Sequence, residues 1–185
     1  MRLETKRLFV RPIEPGDKES VFLYRSQREV NKYQGFIPDN LSDVERFIAN
    51  TVKEINTPGT WFQLVLILKE SGALIGDIGL YFAEAAYGQD SETSTETSSG
   101  MVFPADSVEI GYTLDVHYHG KGYATEALTA IIEYLKTAMG KKIFTASVDP
   151  ENAPSIRVLE RLGFCAAIRV NEQEVRYIQE TNSSS

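Results

Sequence analysis

The chain has 185 residues, 42% apolar and 24% charged, enough for one hydrophobic core and too few for two independent ones. Its 19 basic and 26 acidic residues leave a net charge of −7. That excludes a nucleic-acid surface built on basic phosphate contacts and fits either a cationic substrate such as an amine or simple solubility. A single cysteine, Cys165, excludes an internal disulfide and a multi-cysteine zinc site, and the two histidines, His117 and His119, lack clustered ligands, so no metal is expected. Neither an apolar leader nor a membrane-length apolar run of ~20 residues is present, which points to the cytoplasm with no membrane partner.

Residues 8–11 read as a first strand stopped by Pro12, and 17–26 as a helix with Val21 and Tyr24 three apart. Ser42-Asp43-Val44-Glu45 has capping-box spacing, so a helix is expected from there to about residue 55, ahead of Pro58-Gly59. Residues 61–69 and 74–83, rich in aromatic and branched side chains, form a hairpin about the turn 70–73. Gly76 and Gly79 inside it mark either a bulge or a close backbone approach. In the strand 107–115, Val108, Ile110, Tyr112 and Leu114 line one face, and Ser107, Glu109, Gly111 and Thr113 the other. Ala124, Leu128, Ile131, Ile132, Leu135 and Met139 recur at helical spacing over 122–139, with Gly140 as the stop. A strand over 143–148, a short helix over 154–162 and a terminal hairpin of 164–170 with 175–178 complete the chain; Cys165 is expected there as a small buried hydrophobe. Residues 89–100 carry no apolar side chain, so a mobile acidic Ser/Thr-rich loop is expected at about 84–106, either a substrate lid or decoration. It would interrupt a single domain of residues 1–180, followed by a disordered tail, 181–185.

Two segments carry chemistry. Between a strand and the longest helix lies His117-Tyr118-His119-Gly120-Lys121-Gly122-Tyr123-Ala124-Thr125. Its glycines let the chain turn tightly, and the helix start adds free N–H groups and a positive dipole end, a site for a phosphate or pyrophosphate. Lys121 can add a point charge. An ordinary strand-to-helix turn reads the same way. The second segment, Asn152 to Phe164, places Asn152 as an N-cap or turn residue and Ser155 in the first helical turn.

Jointly, the two segments resemble the GNAT superfamily of acyl-CoA-dependent N-acetyltransferases, and more narrowly its ribosomal-protein N-terminal acetyltransferase branch. Thr5-Lys6-Arg7-Leu8-Phe9-Val10-Arg11-Pro12 is similar to that branch's opening strand, and Leu74 to Leu80 and Glu109-Ile110-Gly111-Tyr112 to its middle strands. His119 to Ala127 is similar to its pyrophosphate loop and helix, and Asn152-x-x-Ser155-x-x-Val158-Leu159-Glu160-Arg161-Leu162-Gly163-Phe164 to its C-terminal signature. The resemblance implies an α/β (α+β) fold, one mixed twisted sheet flanked by helices, with acetyl-CoA as cosubstrate in a gap between 107–115 and 143–148. It implies that the arm pairs with the backbone of Tyr112, Thr113 and Leu114, and that His117 to Thr125 hold the pyrophosphate. Asn152 and Ser155 would face them. The family loop usually opens with Gln or Arg where this chain has His117.

The activity implied is direct attack of a neutral amine on the thioester. At pH 7 a lysine near pKa ~10.4 costs about 4.6 kcal/mol to neutralise, and an α-amine near ~7.8 only about 1.1 kcal/mol. The expected acceptor is a protein N-terminal α-amine, or else a small amine or antibiotic. Glu109 is the candidate base, through a water, or a carboxylate that only orients substrate. Leu159 stands where much of the superfamily has a tyrosine acid, so Ser155 is the candidate donor to the leaving thiolate, or merely structural. A thioester carbonyl would be polarised by an N–H near Leu114. The acceptor side is expected along 17–35, the loop after Phe82 and the terminal hairpin. A monomer or homodimer is expected, and a CoA-binding regulatory module without turnover is the alternative.

Overall fold

The computed structural model describes residues 1–83 and 107–180; the expected 84–106 loop and 181–185 tail lie outside the described residues. Eight strands form one sheet in the order β1-β2-β3-β4-β5-β6-β8-β7. They are β1 (Leu3–Glu4), β2 (Leu8–Pro12), β3 (Thr60–Leu68), β4 (Leu74–Phe82), β5 (Ser107–Leu114), β6 (Ile143–Val148), β7 (Cys165–Asn171) and β8 (Glu174–Glu180). The helices are α1 (Lys18–Arg25), α2 (Arg28–Asn31), α3 (Leu41–Asn50), α4 (Tyr123–Met139) and α5 (Ala153–Arg161). Most neighbours run antiparallel, and β5 and β6 are parallel.

The main core lies between the sheet and α4–α5. Val108, Ile110 and Leu114 of β5 and Phe144, Ala146 and Val148 of β6 meet Ala127, Leu128, Ile131, Ile132 and Leu135 of α4. The opposite face carries a smaller core, in which Val21 and Tyr24 of α1 and Val44 and Ile48 of α3 cover Val65. Its polar counterpart is Asp77 of β4, which receives two bonds from the Arg25 guanidinium (2.7 and 2.8 Å), one from Gln63 Nε2 (2.8 Å) and one from the Tyr24 hydroxyl. Burial alone would lower the Arg25 pKa, but the charge and hydrogen bonds of Asp77 hold it above its ordinary value.

Several expectations change. The capping box at the start of α3 is Asn40 with Asp43, not Ser42 with Glu45. Asn40 has extended backbone, its Oδ1 accepts from the Asp43 N–H (3.2 Å), and Asp43 Oδ2 accepts from the Asn40 N–H (3.1 Å). The helix stops at Asn50, where the Thr51 hydroxyl donates to the Ile48 carbonyl (2.8 Å). Both readings of the glycines hold at Gly76: a Cβ there would drive into the Thr113 carbonyl, and the register shifts beside it, where Ile75 of β4 is the extra residue between the pairs Leu66↔Gly76 and Ile67↔Leu74. Cys165 is exposed. It opens β7, the edge strand, most of whose residues face solvent. The strand β1 and helix α2 carry too few residues to show a period.

Candidate active site

The parallel pairing of β5 with β6 runs from Ser107↔Ile143 only to Glu109↔Thr145. Beyond that point the strands part, and a gap of about 120 Å³ opens, walled by Ile110, Gly111 and Tyr112 on one side and Ala146, Ser147 and Val148 on the other. A groove of about 330 Å³ continues from it between α4 and α5, past Leu114, Gly120 and Gly122.

The groove floor is made by conformation. Gly120 and Gly122 have φ of +71° and +79°, left-handed values that only glycine adopts cheaply. The N–H groups of His117, Tyr118 and His119 are consumed within the turn, on Asp115 and Val116. Those from Gly120 to Thr125 have no acceptor among the described residues, and all of these residues but Lys121 border the groove, as a main-chain anion site requires. Arg7 locks this turn from behind. Its guanidinium bonds Glu126 (2.6 Å) and the Lys121 carbonyl (2.9 Å) and lies 4.2 Å from the Tyr123 ring centre. The Arg7 N–H and the Thr5 hydroxyl complete Glu126's shell at 2.7 and 2.6 Å. Burial would raise the Glu126 carboxyl, but these bonds hold it below its ordinary range.

Across the groove, Asn152 caps α5 by accepting from the Ser155 N–H (3.2 Å), which fixes Ser155 toward β5. The Ser155 hydroxyl lies 2.6 Å from the Tyr112 phenol. Burial pushes that phenol up to about 12, with the bond to Ser155 opposing. The pair borders both the groove and the gap. Glu109, half-buried, stands in the last paired row before the strands part, on the sheet face away from α4. Burial raises its carboxyl, while the Arg176 charge and a 3.3 Å bond from Ser147 Oγ pull it down. Arg176 in turn donates to Ser147 (3.1 Å). On that face a wider cavity of about 1070 Å³ reaches from Phe36 and Phe47 to Trp61 and Gly111, sharing Gln34, Tyr112 and Thr113 with the groove.

The profile of the acetyltransferase (GNAT) domain matches residues 7–165, which span the loop, the gap and the Asn152–Phe164 segment. The chain belongs to the GNAT acetyltransferase family. Among its relatives are two proteins named as uncharacterized N-acetyltransferases. YnaD of Bacillus subtilis (strain 168) is 33% identical over 168 residues, covering 88% of this chain and 82% of that protein. The p20 protein of Bacillus licheniformis is 30% identical over 162 residues, 88% and 81% of the two chains. The fold matches an acetyltransferase (GNAT family) from Bacillus anthracis with TM-score 0.72 and 25% identity over 97% of this chain and 98% of that one. It also matches the ribosomal-protein-S5-alanine acetyltransferase of Vibrio fischeri, TM-score 0.69 and 17% identity over 100% and 99%. The protein is thus an N-acetyltransferase of one mixed α/β domain, and GNAT enzymes take acetyl-CoA as cosubstrate.

For this GNAT protein, Tyr112, Thr113, Leu114, His119, Gly120, Gly122, Tyr123, Ala124, Thr125, Asn152 and Ser155 all border one groove. His117 and Lys121 do not. The His117 ring, 76% exposed, turns back to Asp115 (2.7 Å), and the Lys121 amine sits over Tyr118. The His119 ring reaches the Leu114 carbonyl (2.8 Å), tying the loop to β5. Among the described residues no group of His, Cys, Asp and Glu could hold a metal, and no helix is long and apolar enough to cross a membrane. The wide cavity draws on Arg25, Gln34 and Gly35, but mainly on residues 36–61 and the strands, and not on the terminal hairpin; the loop after Phe82 lies outside the described residues. Sequence reasoning missed Trp61, the Tyr112 phenol, and Arg157 and Arg161, which border the groove. The one local signal for the arginines was their four-residue spacing on α5.

Proposed function

We propose that the protein acetylates a protein N-terminal α-amine, with Glu109 as base. The observation that carries this reading is the row Glu109↔Thr145, the last before the strands part: Glu109 directly precedes Ile110 of the gap wall and accepts a hydrogen bond from Ser147 of the other wall, without itself lining the gap. The glycine-loop groove suits acetyl-CoA, because its main-chain donors from Gly120 to Thr125 lack internal acceptors and the parted strands leave the β5 edge beyond Glu109 unpaired with β6. Tyr112 to Leu114, Asn152 and Ser155 would then flank the pantetheine arm, and Arg157 and Arg161 would face the phosphates. Acetyl-CoA supplies the acetyl group as a thioester.

Glu109 removes a proton from the attacking amine, directly or through water, as the C–N bond forms and the C–S bond breaks. An α-amine suits a carboxylate base because its neutral form lies only about 1.1 kcal/mol away at pH 7. Ser155, aligned by the Tyr112 phenol, donates a hydrogen bond to the departing sulfur, which takes its proton from solvent. Full transfer from a phenol near 12 to a thiolate near ~8.5 would be uphill by about 5 kcal/mol, so Tyr112 stays protonated. The acceptor cavity of about 1070 Å³ is roomy enough for a peptide chain end.

The test is calorimetric titration with acetyl-CoA, then thiol release with three acceptors: a free N-terminal peptide, the same peptide blocked at its N-terminus but carrying lysine, and small amines. Turnover confined to the free N-terminus is expected. Turnover only with lysine or small amines would overturn the acceptor assignment.

A further inference from the structure

Trp61 is the chain's single tryptophan, and 45% of its surface is exposed. It lies on the face of the sheet that carries Glu109, with Tyr81 between them in one cross-strand row. The reason for its position is a pair of neighbouring glycines, Gly79 of β4 and Gly111 of β5. A Cβ on Gly79 would stand 3.0 Å from the indole Cε3, and one on Gly111 3.9 Å from Cζ3, so the ring leans over a shelf bare of side chains. Five large apolar side chains of the described residues are exposed, and two of them, Trp61 and Ile37 (49%), line this one cavity. The Phe36–Phe47 stack, ring centres 4.5 Å apart, forms its far wall.

The charges around this apolar surface are mostly spent. Arg25 is held by Asp77, and Arg46 by Asp43, leaving Asp39 at the rim. An anionic substrate side chain on the shelf would lose water and gain no free partner, and a cationic one would find only Asp39 at the rim, whereas an apolar one covers surface already bare. Gln34, Tyr112 and Thr113 border both this cavity and the cofactor groove.

We propose that this shelf reads the first side chain of the acceptor: the preferred substrate is a peptide whose N-terminal residue is large and apolar, aromatic above all, seated against Trp61. The choice of peptide rests on the acceptor reading above; the apolar preference rests on the shelf.

Trp61 is its own probe. The full chain is titrated with tripeptides that differ only in their first residue (Phe, Leu, Ala, Ser or Glu), following tryptophan fluorescence, with no turnover required. Phe- and Leu-peptides should perturb the emission and bind at least tenfold more tightly than Ala-, Ser- or Glu-peptides, the range a pocket gives for apolar bulk. In Trp61→Ala, followed by calorimetry, the preference should shrink below threefold while acetyl-CoA binds as before; Trp61→Phe should keep it. A Phe/Ala ratio under tenfold, or an unchanged ratio in a Trp61→Ala protein that still binds acetyl-CoA, overturns the proposal. Phenethylamine separates the two readings. If it and the Phe-peptide bind at Trp61 but only the amine is acetylated, the N-terminal acceptor fails and the shelf stands.

Discussion

On the α4–α5 side of the sheet, the groove runs past main-chain N–H groups between Gly120 and Thr125 that have no internal acceptor, on a turn braced by Arg7 and Glu126. On the α1–α3 side they are side chains: Trp61 on its glycine shelf, the Phe36–Phe47 stack, and Arg25 held to Asp77. One side rests first on backbone conformation, with Asn152, Ser155 and the α5 arginines across from it; the other depends on which residues the strands bring level. A shared anionic cosubstrate suits the first arrangement, and a variable acceptor the second.

Substitutions can break that contrast. The largest effect is expected at the junction. Glu109→Gln should lower kcat by about 10²–10⁴-fold and leave acetyl-CoA affinity unchanged. The base works deprotonated, so kcat/KM should rise with pH through a midpoint above the ordinary carboxylate value, because burial raises Glu109. That limb should vanish in the variant, and a profile identical to the parent's would remove Glu109 from the mechanism. Next comes Asp77→Ala, which strands the Arg25 guanidinium, only 6% exposed, without its counter-charge. Urea unfolding should show a loss of about 3–5 kcal/mol. The molecules still folded should bind acetyl-CoA normally.

Two further substitutions test the backbone side. Gly122→Val forces a branched residue to φ +79° and puts a Cβ 3.5 Å from the Arg7 guanidinium. At ~1–2 kcal/mol for a left-handed residue, acetyl-CoA affinity should fall about tenfold by calorimetry. His117→Ala should change it less than about twofold, because that ring points into solvent beside Asp115. If His117→Ala proves the more damaging, main-chain anion binding is the wrong account of the loop.

The same contrast governs what could be read in advance. The 122–139 helix, the strand 107–115 and the glycine turn follow from local patterns, and the structure places α4, β5 and the positive-φ glycines there. The start of α3 was misjudged because Ser42 and Asn40 are both capping residues, and only the extended backbone at Asn40 selects between them. Cys165 departs from the general tendency of free cysteine to be buried because it opens β7, which is the sheet edge. Trp61 looked like one more apolar strand residue. Nothing local says that Gly79 and Gly111 come level beside it.

The sequence by itself determined the glycine turn, the helix behind it, and the family to which the Asn152–Phe164 segment points, because backbone φ and helical period are properties of a few consecutive residues. Only the tertiary structure decided that β5 and β6 part after Glu109, that Tyr112 meets Ser155, and that Trp61 overhangs two glycines. Each of those depends on register between strands far apart in the chain, where a shift of one residue turns every side chain to the other face.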